Sequence, residues 1–295
     1  MLVTADRVFG GHLYVRNGKI AAISDDGTLP AREELDAAGL YVLPGILDCH
    51  AHINDPGFTW REDLPHASEA AAVGGVTTLI DMPLQNTPPL TSADAFANKL
   101  AVFEGRSLVD YAFWGGLVTD NTAELAGMDA VGAVGFKAFI APVSLGYSSV
   151  DMGLAREALF RIKAFAGFHC EDHALICAGE AKAKAGGGTR RAFLDSRPVV
   201  AEVIATANVI ELARETGARV HICHVSHPRV AELVRRAQAD GLSVTGETCP
   251  HYLVFTEENL LSGGTVFKCA PPLRTAEARD GLWEYVLDGT LSCIG

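Results

Sequence analysis

The chain has 295 residues, 48% of them hydrophobic, and a formal charge of −12. That apolar content can fill one large domain core with a smaller domain beside it. Acidity without a basic cluster argues against nucleic acid or an anionic membrane surface as partner.

The N-terminal Met1-Leu-Val-Thr-Ala-Asp-Arg-Val8 lacks a basic stretch followed by an apolar run. No segment reaches the roughly 18 apolar residues of a membrane span, so a cytoplasmic protein is expected. Residues 1–44 read as short strands and turns, with Asn17-Gly18 as a hairpin signal between Leu13–Val15 and Lys19–Ile23. They form the first part of a small β module.

From Tyr41 the pattern changes to apolar runs alternating with alanine-rich helical segments. The pairs are Val76–Met82 with Ala93–Phe103, Val109–Val118 with Ala123–Val131, and Gly135–Ile140 with Val150–Phe165. They continue as Gly167–Cys170 with Val199–Glu215, Arg219–Ser226 with Arg229–Ala239, and Leu242–Glu247 with Glu277–Leu287. Repeated βα units suit a (β/α)8 barrel or a doubly wound sheet, and polar residues at many strand ends favour an α/β TIM barrel over residues 45–295. Gly186-Gly187-Gly188 reads as a loop tip, since no strand leads directly into it.

Four strand ends carry candidate chemistry. In Gly45–Gly57, His50 and His52 lie one residue apart, so they share a strand face, and imidazole is the commonest protein metal ligand. Lys137 interrupts the apolar run Val134–Ile140. A cation buried there is costly, which favours a neutral amine; the plainer alternative is a side chain that reaches the rim. His169 and His224 end two further strands, and a lone histidine in such a place is more often a hydrogen-bonded core residue. Several emerging from successive strands at one barrel end suggest a site.

Taken in order, His50-Ala-His52, Phe136-Lys137-Ala138-Phe139, Phe168-His169-Cys170-Glu171, His224-Val-Ser226, Glu247–Tyr252 and Lys268–Arg274 resemble the cyclic amidohydrolases. That group includes allantoinase, dihydropyrimidinase (hydantoinase) and dihydroorotase. The resemblance implies a metal-dependent amidohydrolase barrel with two divalent ions, usually zinc, bridged by Lys137 after carboxylation of its Nζ by CO2. It assigns His50 and His52 to the more buried ion and His169 and His224 to the more exposed one. It also implies a hydroxide between the ions that opens a ring amide, a homotetramer, and substrate contacts at Asn54 and Ala270.

Within the group, Asn54–Gly57 and Asp81–Pro89 resemble allantoinase most closely. Asn54 and Leu84 stand where dihydroorotases commonly carry an arginine and an asparagine that hold the substrate carboxylate, so a neutral substrate such as allantoin is expected. Dihydropyrimidinases place a tyrosine shortly after the lysine; Tyr147 lies seven residues beyond that region, too far to substitute. Hydantoinase, dihydropyrimidinase or dihydroorotase activity is the alternative, as is an inactive scaffold.

Blander readings apply elsewhere. His12, His66, His173, His221, His227 and His251 are expected on the surface or behind the site, with His221 on the opposite face from His224. Cys49, Cys170 and Cys223 flank ligands and should point into the barrel wall. The seven cysteines include no C-x-x-C pair, so reduced thiols are expected. Asp172 and His173 could orient His169 or form a solvated loop. By the resemblance, the aspartate of a Ser-Asp-His segment is expected beyond Gly295, and the chain ends within what reads as the eighth strand. The 295-residue stretch alone is therefore expected to be a poor hydrolase.

Overall fold

The computed structural model describes residues 1–143 and 147–295. At the N-terminus, β1 (Leu2–Val3) pairs with β2 (Val8–Phe9), and β3 (His12–Arg16) pairs with β4 (Lys19–Ser24). Asn17 and Gly18 both adopt positive φ, 53° and 72°, as a two-residue hairpin turn requires.

The remaining strands are parallel and alternate with helices. The order is β5 (Ile46–Ala51), α1 (Leu64–Val73), β6 (Val76–Asp81), α2 (Ala93–Phe103), β7 (Asp110–Phe113), β8 (Gly115–Gly116), α3 (Leu125–Ala130), β9 (Phe136–Phe139) and α4 (Met152–Leu159). Next come β10 (Phe165–His169), α5 (His173–Ala185), α6 (Arg190–Ser196), α7 (Val199–Thr216), β11 (Arg219–Ile222) and α8 (Pro228–Ala239). The last are β12 (Val244–Thr248), α9 (Pro250–Val254), α10 (Glu257–Gly263), α11 (Ala276–Leu287) and β13 (Cys293–Ile294). β5 pairs with β6 and β6 with β7, and a second run of ladders joins β8 through β13 in sequence order.

The expected strand Val109–Val118 is two strands. Trp114 breaks it by donating its backbone N–H to Asp81 O (3.0 Å) and its indole N–H to Cys49 O (3.0 Å). Counting β7 and β8 as one stave gives eight staves, the (β/α)8 architecture the repeats imply. Among the described residues, the first and eighth staves meet through side chains, with Cys49 Sγ 3.7 Å from Cys293 Sγ.

Local chemistry sets the helix boundaries. Asp63, Ser92, Asp151, Asp172, Thr189 and Thr275 each accept a backbone N–H of the first helical turn, and Gly217 ends α7 at φ 68°. The main core lies between staves and helices, where Phe103 packs edge-on to Phe113 at 4.8 Å. β9 is buried along its whole length, as a stave covered on both faces must be. His50, His52, Asp81, Lys137, His169, His224 and Glu247 all fall at or near C-terminal stave ends, the end where such barrels place their chemistry.

Helices α5 and α6 arise from a stretch whose alanine, charge and glycine content hid its periodicity, and Gly186–Gly188 is the loop between them. They pack so closely that a Cβ on Gly179 would sit 2.3 Å from Ser196 O. Gly179→Ala should therefore destabilise the fold by about 1–2 kcal/mol, the overpacking cost outweighing the helix-propensity gain. A denaturant midpoint at or above wild type would contradict this contact.

Candidate active site

The first pair of histidines depends on a bulge. Between Asp48 and Ala51, β5 advances three residues while β6 advances two, so strict alternation fails there. Cys49 and His50 consequently both face inward: Cys49 Sγ lies 3.6 Å from Glu247 Oε2, and His50 Nδ1 bonds Glu247 Oε1. The His50 and His52 rings are 5.5 Å apart. The turn after His52 is pinned by Asp81, which accepts from Ile53 N (2.5 Å) and pairs with Lys99 Nζ (2.5 Å). Lys99 also donates to Ile53 O (3.0 Å) and to Asn86 Oδ1. Both Asp81 and Lys99 are fully buried, and burial pushes the Asp81 carboxyl up to about 6 despite its cationic partner.

Lys137 is also fully buried, yet its Nζ has no hydrogen-bond partner and sits 5.2 Å from the Phe139 ring centroid. Its carbonyl accepts from Leu117 N (2.8 Å) and from the Tyr147 hydroxyl (2.6 Å). Tyr147 thus comes closer to the lysine than its spacing suggests, but its hydroxyl is engaged by backbone.

His169 and His224 face each other, with Nδ1 of the first 3.1 Å from Nε2 of the second. The other nitrogen of His169 bonds Glu171 Oε2 (2.6 Å), which also accepts from Arg197 Nη1 (2.5 Å). Glu171, and neither Asp172 nor His173, orients His169: Asp172 caps α5 by accepting from Leu175 N (2.9 Å), and His173 is exposed. His224 adopts φ 40°, a left-handed bend rarely occupied by a residue with a side chain.

That bend defeats the alternation argument for β11. His221 is not turned away: its Nε2 lies 3.3 Å from Glu247 Oε2 and its Nδ1 is 2.8 Å from Thr245 Oγ1. Cys223 faces inward too, its sulfur clustered with donor atoms of His50 and Glu247, so the outward expectation fails for Cys49 and Cys223. Cys170, by contrast, joins the core packed under the helices.

Electrostatics keep the imidazoles neutral. Burial, reinforced by His50 and Lys137, pushes His52 down to about 3. Burial also lowers His50 against the pull of Glu247, lowers His169 against Glu171, and drives His224 well down. For Glu247, burial opposes ionisation, but hydrogen bonds from His221 and His50 outweigh it and hold the carboxyl well below its usual range.

A neutral imidazole presents one lone pair, and here the free nitrogens are identifiable. With Nδ1 of His50 and Nε2 of His169 committed to carboxylates, His50 Nε2 and His169 Nδ1 remain. The 3.1 Å between His169 Nδ1 and His224 Nε2 compares with about 3.3 Å expected for two nitrogens on one tetrahedral zinc. His52 Nδ1, Lys137 Nζ and His224 Nδ1 are buried without partners. This donor set fits divalent cations.

Asn54 is buried behind His52 with its Oδ1 unpartnered, while exposed Ala270 lines a cleft of about 540 Å³ with Glu180, Phe193, Ser196, Arg197 and Lys268. None of the five candidate ligands lines that cleft.

A dihydro-orotase-like family model matches residues 39–229. The chain is 40% identical over 299 residues to the allantoinase of Streptomyces avermitilis, covering 99% of this chain and 66% of that protein. It is likewise 40% identical over 300 residues to the allantoinase of Solibacter usitatus, covering 99% of this chain and 65% of that protein. The solved L-hydantoinase (dihydropyrimidinase) from Arthrobacter aurescens superposes with a TM-score of 0.94 at 37% identity, over 100% of this chain and 66% of that one. The chain thus spans 65–66% of the length of these relatives.

Buried neutral histidines have a pH consequence. Below pH 6.5 an unfolded histidine gains a proton that His52 refuses until about 3, so the unfolded state binds more protons and stability falls with pH. Asp81, held near 6, and Glu202, pushed up to about 7, act in the opposite sense over part of the same range, and the four imidazoles together outweigh these two carboxyls. Chelator-treated protein should have a lower urea midpoint at pH 5.5 than at 7.5. Equal midpoints would mean that the histidines are not buried in neutral form.

Proposed function

The chain belongs to the dihydro-orotase-like family, the cyclic amidohydrolases, and from that premise we propose that the protein hydrolyses allantoin to allantoate. We assign two divalent cations, zinc by resemblance, to His50, His52, Lys137, His169 and His224. The observation that carries this reading is a cluster of four imidazoles, His169 and His224 buried and His50 and His52 half-buried, all lowered in pKa by burial and by Lys137, whose own buried Nζ has no hydrogen-bond partner. When bound, such cations supply Lewis acidity and lower the pKa of water to about 7.

The chain's own residues contribute the rest. His50 and His169 are each backed by a carboxylate, which fixes the ring and the nitrogen left free. Lys137 would take part after its Nζ forms a bond to the carbon of CO2 and gives up protons, since the resulting carbamate would offer oxygens to the cations. Its Nζ is buried without a hydrogen-bond partner, so no described side chain competes for it. Asn54 Oδ1 is free to accept from a ring or ureido N–H, and Ala270 leaves space at the rim.

Allantoin is favoured because Asn54 and buried Leu84 offer no positive charge to a substrate carboxylate. Likeness to a hydantoinase supports a second reading, in which another hydantoin is the substrate. A homo-oligomer follows from resemblance. A reducing compartment such as the cytoplasm is supported by seven free thiols, and no described helix is long and apolar enough to cross a membrane.

For the full-length protein, kcat/KM should be highest for allantoin, lower for dihydrouracil and lowest for dihydroorotate. A preference for dihydroorotate would overturn the substrate assignment. Lys137→Ala should lower kcat by at least about 100-fold and reduce bound zinc; wild-type metal content and turnover would exclude the bridging role.

A further inference from the structure

Glu247, the carboxylate that backs His50, is completely buried and engaged on both oxygens. Oε1 accepts from the His50 ring and from the backbone N–H of His224 (3.1 Å). Oε2 lies 3.3 Å from His221 Nε2 and 3.6 Å from Cys49 Sγ. The resemblance assigns His50 and His224 to different cations, and their rings are 5.4 Å apart. Glu171, the other backing carboxylate, touches one of the candidate ligands, His169, and is itself held by Arg197.

We propose that Glu247 is a positioning residue that couples the two halves of the cation site. Its carboxylate fixes the tautomer of His50, leaving Nε2 free, and the same oxygen holds the His224 backbone in the left-handed bend that aims that ring at His169. A strained φ persists when neighbouring groups over-determine it, and a charge-assisted bond to the residue's own N–H does so directly. The inference rests on reading the four histidines as cation ligands.

The test uses full-length Glu247→Gln and Glu171→Gln, with zinc alone as the probe. Zinc titration should show both equivalents weakened by about 10- to 100-fold in Glu247→Gln, but only one in Glu171→Gln. Two equivalents of wild-type affinity in Glu247→Gln, or loss confined to one, would overturn the coupling. A readout on unsubstituted, metal-free protein guards against misfolding of the variant. The ring 15N shifts of His50 should report a protonated Nδ1 and an unprotonated Nε2, and the reverse tautomer would overturn the proposal. Wild-type protein that takes up no zinc would defeat the cation-site reading itself, while the tautomer measurement would still decide the contact between Glu247 and His50.

Discussion

A lysine removed from water is either fastened by a counter-charge or left without a partner, and this barrel contains one of each. Lys99 and Lys137 are both fully buried. Lys99 is paired with Asp81 and bonded to Ile53 O and Asn86 Oδ1, so its charge is compensated and it fastens the turn behind His52. Lys137 has no such partner. The carboxylates nearest the site, Glu247 and Glu171, are spent on histidines, which leaves the lysine free to change its chemistry. Neutral imidazoles, backing carboxylates and an unpaired amine are thus parts of one electrostatic arrangement.

The sequence made much of this legible, for definite reasons. Two histidines one residue apart at the end of an apolar run, and a lysine inside another, conflict with core packing strongly enough to stand out. The hairpin was legible because Asn-Gly tolerates the two positive φ values that the turn demands. Other features depend on backbone irregularity or distant neighbours. Inward-facing Cys49 follows from the bulge in β5, and inward-facing His221 and Cys223 accompany the bend at His224, none of which strict alternation anticipates. Lys99 sits in a helix that reads as an ordinary amphipathic segment, and only the fold reveals that it faces Asp81.

Behind His169 lies a second layer of buried charge. Glu202 accepts from the Ser226 hydroxyl (2.9 Å), Arg274 donates to that same oxygen (2.9 Å), and another Arg274 nitrogen donates to Arg197 O (2.7 Å). Burial pushes Glu202 up to about 7, against the pull of Arg274. Such networks are sensitive to incomplete satisfaction, since a group stripped of its partner remains buried. The motif residue Arg274 therefore acts as a brace linking α7, the segment after β11 and the segment before α11.

Arg197 belongs both to that brace and to the wall of the 540 Å³ cleft beside Ala270. Arg197 lines the cleft, and its Nη1 donates to the carboxylate that orients His169. Rim and centre are consequently not independent variables for engineering. A library built to reshape the cleft through Arg197 will also sample imidazole orientations, so its variants will confound changed recognition with changed reactivity unless the Glu171 contact is held constant.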